Sequence, residues 1–160
     1  MGTNEYEVTR EATIRASRQA IFDRIVDFHR WSEWSPWEDI DPSMQRTYSG
    51  AESGVGAIYE WIGNRKAGAG RMEITSADAP SRVEIALQFL KPFKASNTTT
   101  FDLLESNGAT HVTWRMVGPK TFATRLMGVF MSMDKMIGRD FEKGLARLTE
   151  AAQGSAPSSL

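Results

Sequence analysis

The feature that most constrains this chain is an apolar stripe near its C-terminus. Phe122, Leu126, Phe130, Met133, Ile137, Phe141, Leu145 and Leu148 recur at steps of three and four residues. That spacing lines up one face of an α-helix. Pro119 stands where proline often precedes a helix, and Gly154, Pro157 and the serines beyond end the pattern. The stripe predicts one helix from about Lys120 to Ala152. At about 1.5 Å per residue it would reach about 50 Å, more than the width of a small domain. A bend is therefore expected, at Gly128 or Gly138. The two halves differ. Met127, Val129, Met131 and Met136 broaden the apolar arc before Ile137, whereas beyond Arg139 it narrows to Phe141, Leu145 and Leu148. Gly144 lies near that narrow face, where it would let the backbone approach a partner. A broad arc needs more surface than one sheet face supplies, so a loop, a second subunit or a ligand must complete it.

The rest of the chain supplies the sheet. Tyr6 to Ala16 alternates, with Val8, Ala12 and Ile14 on one side, and reads as a strand. Ser17 caps a short helix that buries Ile21, Phe22, Ile25, Val26 and Phe28. In DFHRWSEWSPW, Trp31 and Trp34 lie three apart, as on a short helical turn, which Pro36 breaks before Trp37. Asp39 to Ser43 reads as a loop. Six strands follow: Gln45–Ser49, Val55–Ile62, Ala67–Ser76, Arg82–Leu90, Ala95–Glu105 and Thr110–Val117. Gly, Asn, Pro and Ser punctuate them, and short turns between strands mean antiparallel pairing. Alternation along them means one buried face and one wet face. The predicted architecture is α+β. A curved antiparallel sheet wraps a long C-terminal helix, with two short helices between the first two strands. Residues 1–153 form one domain, and the Ser/Pro/Gly-rich stretch 154–160 reads as a disordered tail.

Bulk properties exclude several classes. The net charge of −1 comes from interspersed acids and bases, which leaves no basic field for nucleic acid and no polybasic membrane patch. There is no cysteine, hence no disulfide, thiolate ligand or cysteine nucleophile. No apolar run approaches the ~18 residues of a membrane span, and no secretory pattern opens the chain, so a cytoplasmic protein without stable membrane insertion is expected. Of the two histidines, His111 should face solvent and His29 should serve local hydrogen bonding. No HxH or HExxH spacing accompanies them, and no metal site is expected. Gly54-Val55-Gly56 lacks the third glycine of a dinucleotide fingerprint, and Gly63 to Gly70 lacks the end of a phosphate loop. No cofactor is expected.

Two groups of residues keep two readings each. Trp31, Trp34 and Trp37 either plug one end of the core or wall a ligand cavity. Met127, Met131, Met133 and Met136 either fill core gaps or adapt to a guest. Glu60, between Ile58 and Ile62 and opposite Tyr59 and Trp61, and Asp134, within the broad helical arc, are the ionisable residues singled out. Each is either a solvated or ion-paired residue or a carboxylate against an apolar wall, where it could act as general acid or base.

Taken in this order, DFHRWSEWSPW, SGVGAIYEWIGN, AGAGRMEITSADAP, HVTWRMVG and FMSMDKMIGRDFEKGLARL resemble the helix-grip fold of the START/Bet v 1-like (SRPBCC) superfamily. The likeness covers about residues 8–150 and is closest to its bacterial polyketide cyclase/dehydrase branch. It implies a cavity between sheet and long helix that holds a hydrophobic or amphipathic lipid-, sterol- or polyketide-like molecule. Trp34, Trp37, Tyr59, Trp61, Met72 and Ile74 are expected to line it, with Leu87, Phe101, Trp114, Phe130 and Met133. Two alternatives stand beside binding: a cyclase- or dehydratase-type enzyme using a cavity carboxylate, and a protein-interaction domain like the co-chaperones that activate Hsp90. The protein is expected to be a monomer or a homodimer.

Overall fold

A computed structural model describes residues 5–38, 40–65, 67–91, 94–119 and 130–154, with residues 130–134 and 136 at backbone level. β1 (Glu5–Ile14) leads into α1 (Arg18–Ile25) and a 3-10 helix (Phe28–Glu33). Six strands follow: β2 (Gln45–Gly50), β3 (Ala57–Ile62), β4 (Ala69–Asp78), β5 (Arg82–Lys91), β6 (Ala95–Ser106) and β7 (Ala109–Pro119). The described part of the last helix is α2 (Phe130–Gly154). The predicted segment 120–129 and the tail 155–160 lie outside the described residues.

The strands form one seven-stranded antiparallel sheet in the order β1-β7-β6-β5-β4-β3-β2. This is the predicted meander, closed by β1 pairing with β7 along its whole length. Local chemistry sets the joints. The Ser17 hydroxyl accepts from the Ala20 N–H at the start of α1, and the Asp27 carboxylate accepts from His29 N–H at the start of the 3-10 helix. Asn107 and Gly108 take positive φ in the turn between β6 and β7, as a tight hairpin demands.

Alternation places Tyr6, Val8, Ile14, Tyr59, Ile74, Val83, Ile85, Phe101, Leu103, Val112, Trp114 and Met116 on the inner face, all buried. Register sorts them into rows across the sheet. Val83, Phe101, Trp114 and Arg10 are neighbours on successive strands. The next row is Ile74, Ile85, Thr99, Met116 and Val8. Beyond it run Tyr59, Met72, Leu87 and Asn97.

The described part of α2 packs chiefly on β1 and touches α1 and the 3-10 helix, while α1 lies on β5 and β6. Among its described residues Phe141, Leu145, Leu148 and Ala152 are the buried hydrophobic ones. The Phe141 ring stacks on the Trp114 indole, centroids 4.1 Å apart and planes 8° from parallel. Gly144 makes this approach feasible: a Cβ there would lie 2.8 Å from the Trp114 ring and 3.0 Å from Pro36. The closeness expected at Gly144 is therefore present. Gly138 sits inside a continuous helix, and its missing side chain leaves room for the Arg10 guanidinium, which a Cβ would meet at 2.0 Å. Among the described residues no helix is long and apolar enough to cross a membrane.

Candidate functional site

The tryptophans divide by burial. Trp31 and Trp34 are buried, and each indole N–H donates to a carbonyl at the end of α1: Trp31 to Ile25 at 2.9 Å, Trp34 to Arg24 at 3.1 Å. A buried indole needs such a partner. These bonds fasten the 3-10 helix to α1, and the rings pack edge-on against Phe101 and Trp114. Both residues are core. Trp37 is half-buried and donates to the Asp140 carboxylate of α2 at 3.1 Å. It sits where the loop, Trp114 and Phe141 meet.

At the other end of the inner face the packing loosens. Trp61, Met72, Leu87, Phe89 and Ala95 are only half-buried, although alternation turns them inward. They form a continuous apolar strip across β3, β4, β5 and the start of β6. The Trp61 ring packs against Gly70, where a Cβ would come within 2.3 Å of it, and its N–H donates to Ala67 O at 2.9 Å. Phe89 meets Trp61 edge-on at 6.2 Å.

Two polar groups border the strip. On the β2–β3 side, Glu38 accepts from the Tyr59 hydroxyl at 2.7 Å and from Arg46 Nε at 2.8 Å, while Arg46 also donates to the carbonyls of Glu38 and Met44. The Glu38 side chain is only 11% exposed. Both its oxygens are thus engaged. On the β6–β1 side, the Tyr6 hydroxyl donates to Asn97 Oδ1 at 2.5 Å. Gly118 permits the pair, since a Cβ there would lie 1.8 Å from that oxygen. A cleft of about 380 Å³ at this end of the sheet lies on the outer face, lined chiefly by Glu5, Ala86, Gln88, Ser96, Thr98 and Val117, and is not part of the inner strip.

Burial holds the phenols of Tyr6 and Tyr59 well above their ordinary value, and the bond to Glu38 adds to the shift of Tyr59. Tyr48, half-exposed and stacked on His29 at 4.2 Å, is raised by burial and by the Glu38 charge. With the folded pKa above the unfolded value of about 10, the folded chain keeps protons that the unfolded chain has released. Stability is full below pH ~10 and falls as pH rises beyond it. Alkaline titration should therefore show phenolate absorbance rising together with loss of the tryptophan tertiary signal. Two or more tyrosines ionising near pH 10 in an intact fold would contradict this.

The residues singled out from sequence separate clearly. Tyr59, Trp61, Met72, Ile74, Leu87, Phe101 and Trp114 share the inner face, but Trp34, Ile74, Phe101 and Trp114 are fully buried among neighbours, while Trp61, Met72 and Leu87 border the open strip. Glu60 stands exposed on the outer face, paired in register with Arg71 and Thr47. The carboxylate beside the inner aromatic residues is instead Glu38. Phe130, Met133 and Asp134 belong to α2, and their side chains lie outside the described residues. His111 is on the outer face with Glu11 at 2.6 Å, and His29 bonds Asp27 at 2.9 Å, the surface and local roles expected of them. Among the described residues no group of three or more His, Asp or Glu could hold a metal. Sequence reasoning gave Glu38, Arg46, Asn97 and Thr99 no role in the site; the one available signal was the polar run Asn97-Thr98-Thr99-Thr100, in a strand whose next inner positions, Phe101 and Leu103, are apolar.

The family described as polyketide cyclase / dehydrase and lipid transport matches residues 5–153. No curated protein matches the sequence. Solved structures share the fold at low identity. Protein MLL2253 from Mesorhizobium loti has a TM-score of 0.69 at 14% identity, over 94% of this chain and 98% of that one. DynU16, from the dynemicin biosynthetic locus, has a TM-score of 0.66 at 16% identity, over 95% of this chain and 49% of that one. The Aha1 dimer from Colwellia psychrerythraea has a TM-score of 0.63 at 17% identity, over 94% and 98%.

Proposed function

The chain belongs to the polyketide cyclase / dehydrase and lipid transport family, and from that membership we propose that it binds a hydrophobic or amphipathic small molecule between the inner sheet face and the C-terminal helix. The observation that carries this reading is the half-buried strip of Trp61, Met72, Leu87 and Phe89. A sheet face that had no guest would close over such side chains, because each buried methylene is worth about 0.8 kcal/mol. Small-molecule sites are mostly apolar with a few polar groups, and Tyr59 and Asn97 stand at the two borders of the strip. The Met-rich sequence of residues 127–136 has the composition suited to an adaptable wall. We place the protein in the cytoplasm, as a monomer or a homodimer.

The enzyme reading is the second. Glu38 gives it a carboxylate beside the strip, but both oxygens already accept hydrogen bonds, so binding leads. Titration with an apolar fluorophore such as 1-anilinonaphthalene-8-sulfonate, and with dodecanoic acid as competitor, is expected to show saturable binding that quenches tryptophan emission. Leu87→Gln should weaken it about tenfold, since a polar group is then buried against the guest. A folded protein that binds nothing saturably across a panel of apolar probes would sink the reading. Turnover of a polyketide-like carbonyl compound, abolished by Glu38→Gln, Glu60→Gln or Asp134→Asn, would put the enzyme in its place.

A further inference from the structure

We propose that the guest carries an oxygen acceptor, a carbonyl or a hydroxyl, and that the Asn97 amide and the Thr99 hydroxyl receive it. This rests on the binding reading and narrows it to a class of ligand. The inner face of β6 departs from the rest of the sheet. At the level of Asn97 and Thr99 the neighbouring strands present Leu87, Ile85 and Met116. Asn97 and Thr99 are nevertheless only 5% and 6% exposed. Among the described residues neither Asn97 Nδ2 nor Thr99 Oγ1 has a hydrogen-bond partner. Buried donors are seldom left so, because the lost hydration is not repaid.

The arrangement is fixed by its neighbours. Tyr6 is buried and protonated, and it gives its hydrogen to Asn97 Oδ1. That turns the oxygen end of the amide toward β1 and leaves its two N–H groups for something else. The missing side chain at Gly118 is what admits this orientation. Two positions along a strand span about 6.6–6.8 Å, so one oxygen with two lone pairs, placed between the two side chains, can reach both. Leu87 lies beside Asn97 in register, and Met72 beside Leu87, both half-buried. The apolar body of the guest therefore rests on the strip while its oxygen meets β6. Trp114 Nε1 also lacks a partner among the described residues, but its ring is sealed beneath Phe141.

Three ligands of nearly equal shape separate the alternatives: 2-acetylnaphthalene, 2-(1-hydroxyethyl)naphthalene and 2-ethylnaphthalene, measured by calorimetry. Hydration alone favours transfer of the hydrocarbon. The proposal expects the reverse, with the ketone, the alcohol or both bound about tenfold tighter than the hydrocarbon; which of the two leads identifies the acceptor. Thr99→Val keeps the side-chain shape and removes the hydroxyl. It should lower affinity for the favoured oxygen ligand about tenfold, leave the hydrocarbon unchanged, and raise the melting temperature of the free protein by about 2–4 °C. Asn97→Ala should act on affinity in the same direction, and Thr99→Val serves alone if Asn97→Ala does not fold. Equal binding of all three ligands, or equal loss of all three in Thr99→Val, would overturn the oxygen site and leave the apolar cavity standing. Binding of none of them by the folded protein would overturn both.

Discussion

Phe141→Ala is expected to cost roughly 3–5 kcal/mol of unfolding free energy, the range for truncating a well-packed buried aromatic. The ring is 1% exposed and lies face to face with Trp114, with Trp37 at its edge. Such aromatic contacts add about 0.5–1.5 kcal/mol beyond the area buried. Relaxation is also blocked. Gly144, on the next turn, already brings the helix backbone against the Trp114 indole and Pro36, so α2 cannot sink further to fill the cavity. Urea unfolding followed by tryptophan emission measures the loss. Met133→Ala, in the half of the helix expected to form an adjustable wall, should cost less and should change affinity for an apolar probe more. Equal destabilisation by the two substitutions, with binding untouched by the second, would show that the helix acts as one uniform staple.

The reach of sequence reasoning follows from this contrast. Strand order, the pairing of consecutive strands and their facing were legible because alternation and turn residues are local signals: the meander, the Ser17 cap and the inward placing of Phe101 and Trp114 all come from neighbours within a few positions, whereas the pairing of β1 with β7, about a hundred positions away, has no local signal. The narrow stripe of Phe141, Leu145 and Leu148 was legible for the same reason. The division of the three loop tryptophans was not. Trp31 and Trp34 are fixed as core by carbonyls that α1 exposes at its end, and the half-buried Trp37 is held by Asp140, more than a hundred positions away. Glu38 was passed over because nothing local distinguishes a loop glutamate. Its meaning comes from Arg46 and Tyr59, which the sheet brings to it. Glu60 attracted attention through apolar neighbours in sequence, yet in a strand those neighbours at two-residue spacing share its outward face, and Ile62 is itself exposed.

The largest effect at the site itself is expected from Gly118→Ala. The position does not have a positive φ, so the backbone tolerates alanine, and the whole effect comes from what the methyl group meets. That group would lie 1.8 Å from Asn97 Oδ1 and 3.0 Å from the Tyr6 hydroxyl. Asn97 is short and 5% exposed, and cannot swing aside without losing Tyr6. Overpacking of this kind costs about 1–3 kcal/mol, and separating the buried Tyr6–Asn97 pair adds about 1–3 kcal/mol for each group left unmade. A total of roughly 3–9 kcal/mol is expected, together with loss of any preference for oxygen-bearing ligands. A double-mutant cycle isolates the cause. In the Asn97→Ala background the clashing amide is gone, so Gly118→Ala should there cost under about 1 kcal/mol. Additive costs would mean that the glycine is needed for the strand alone and that the Tyr6–Asn97 pair does not depend on it.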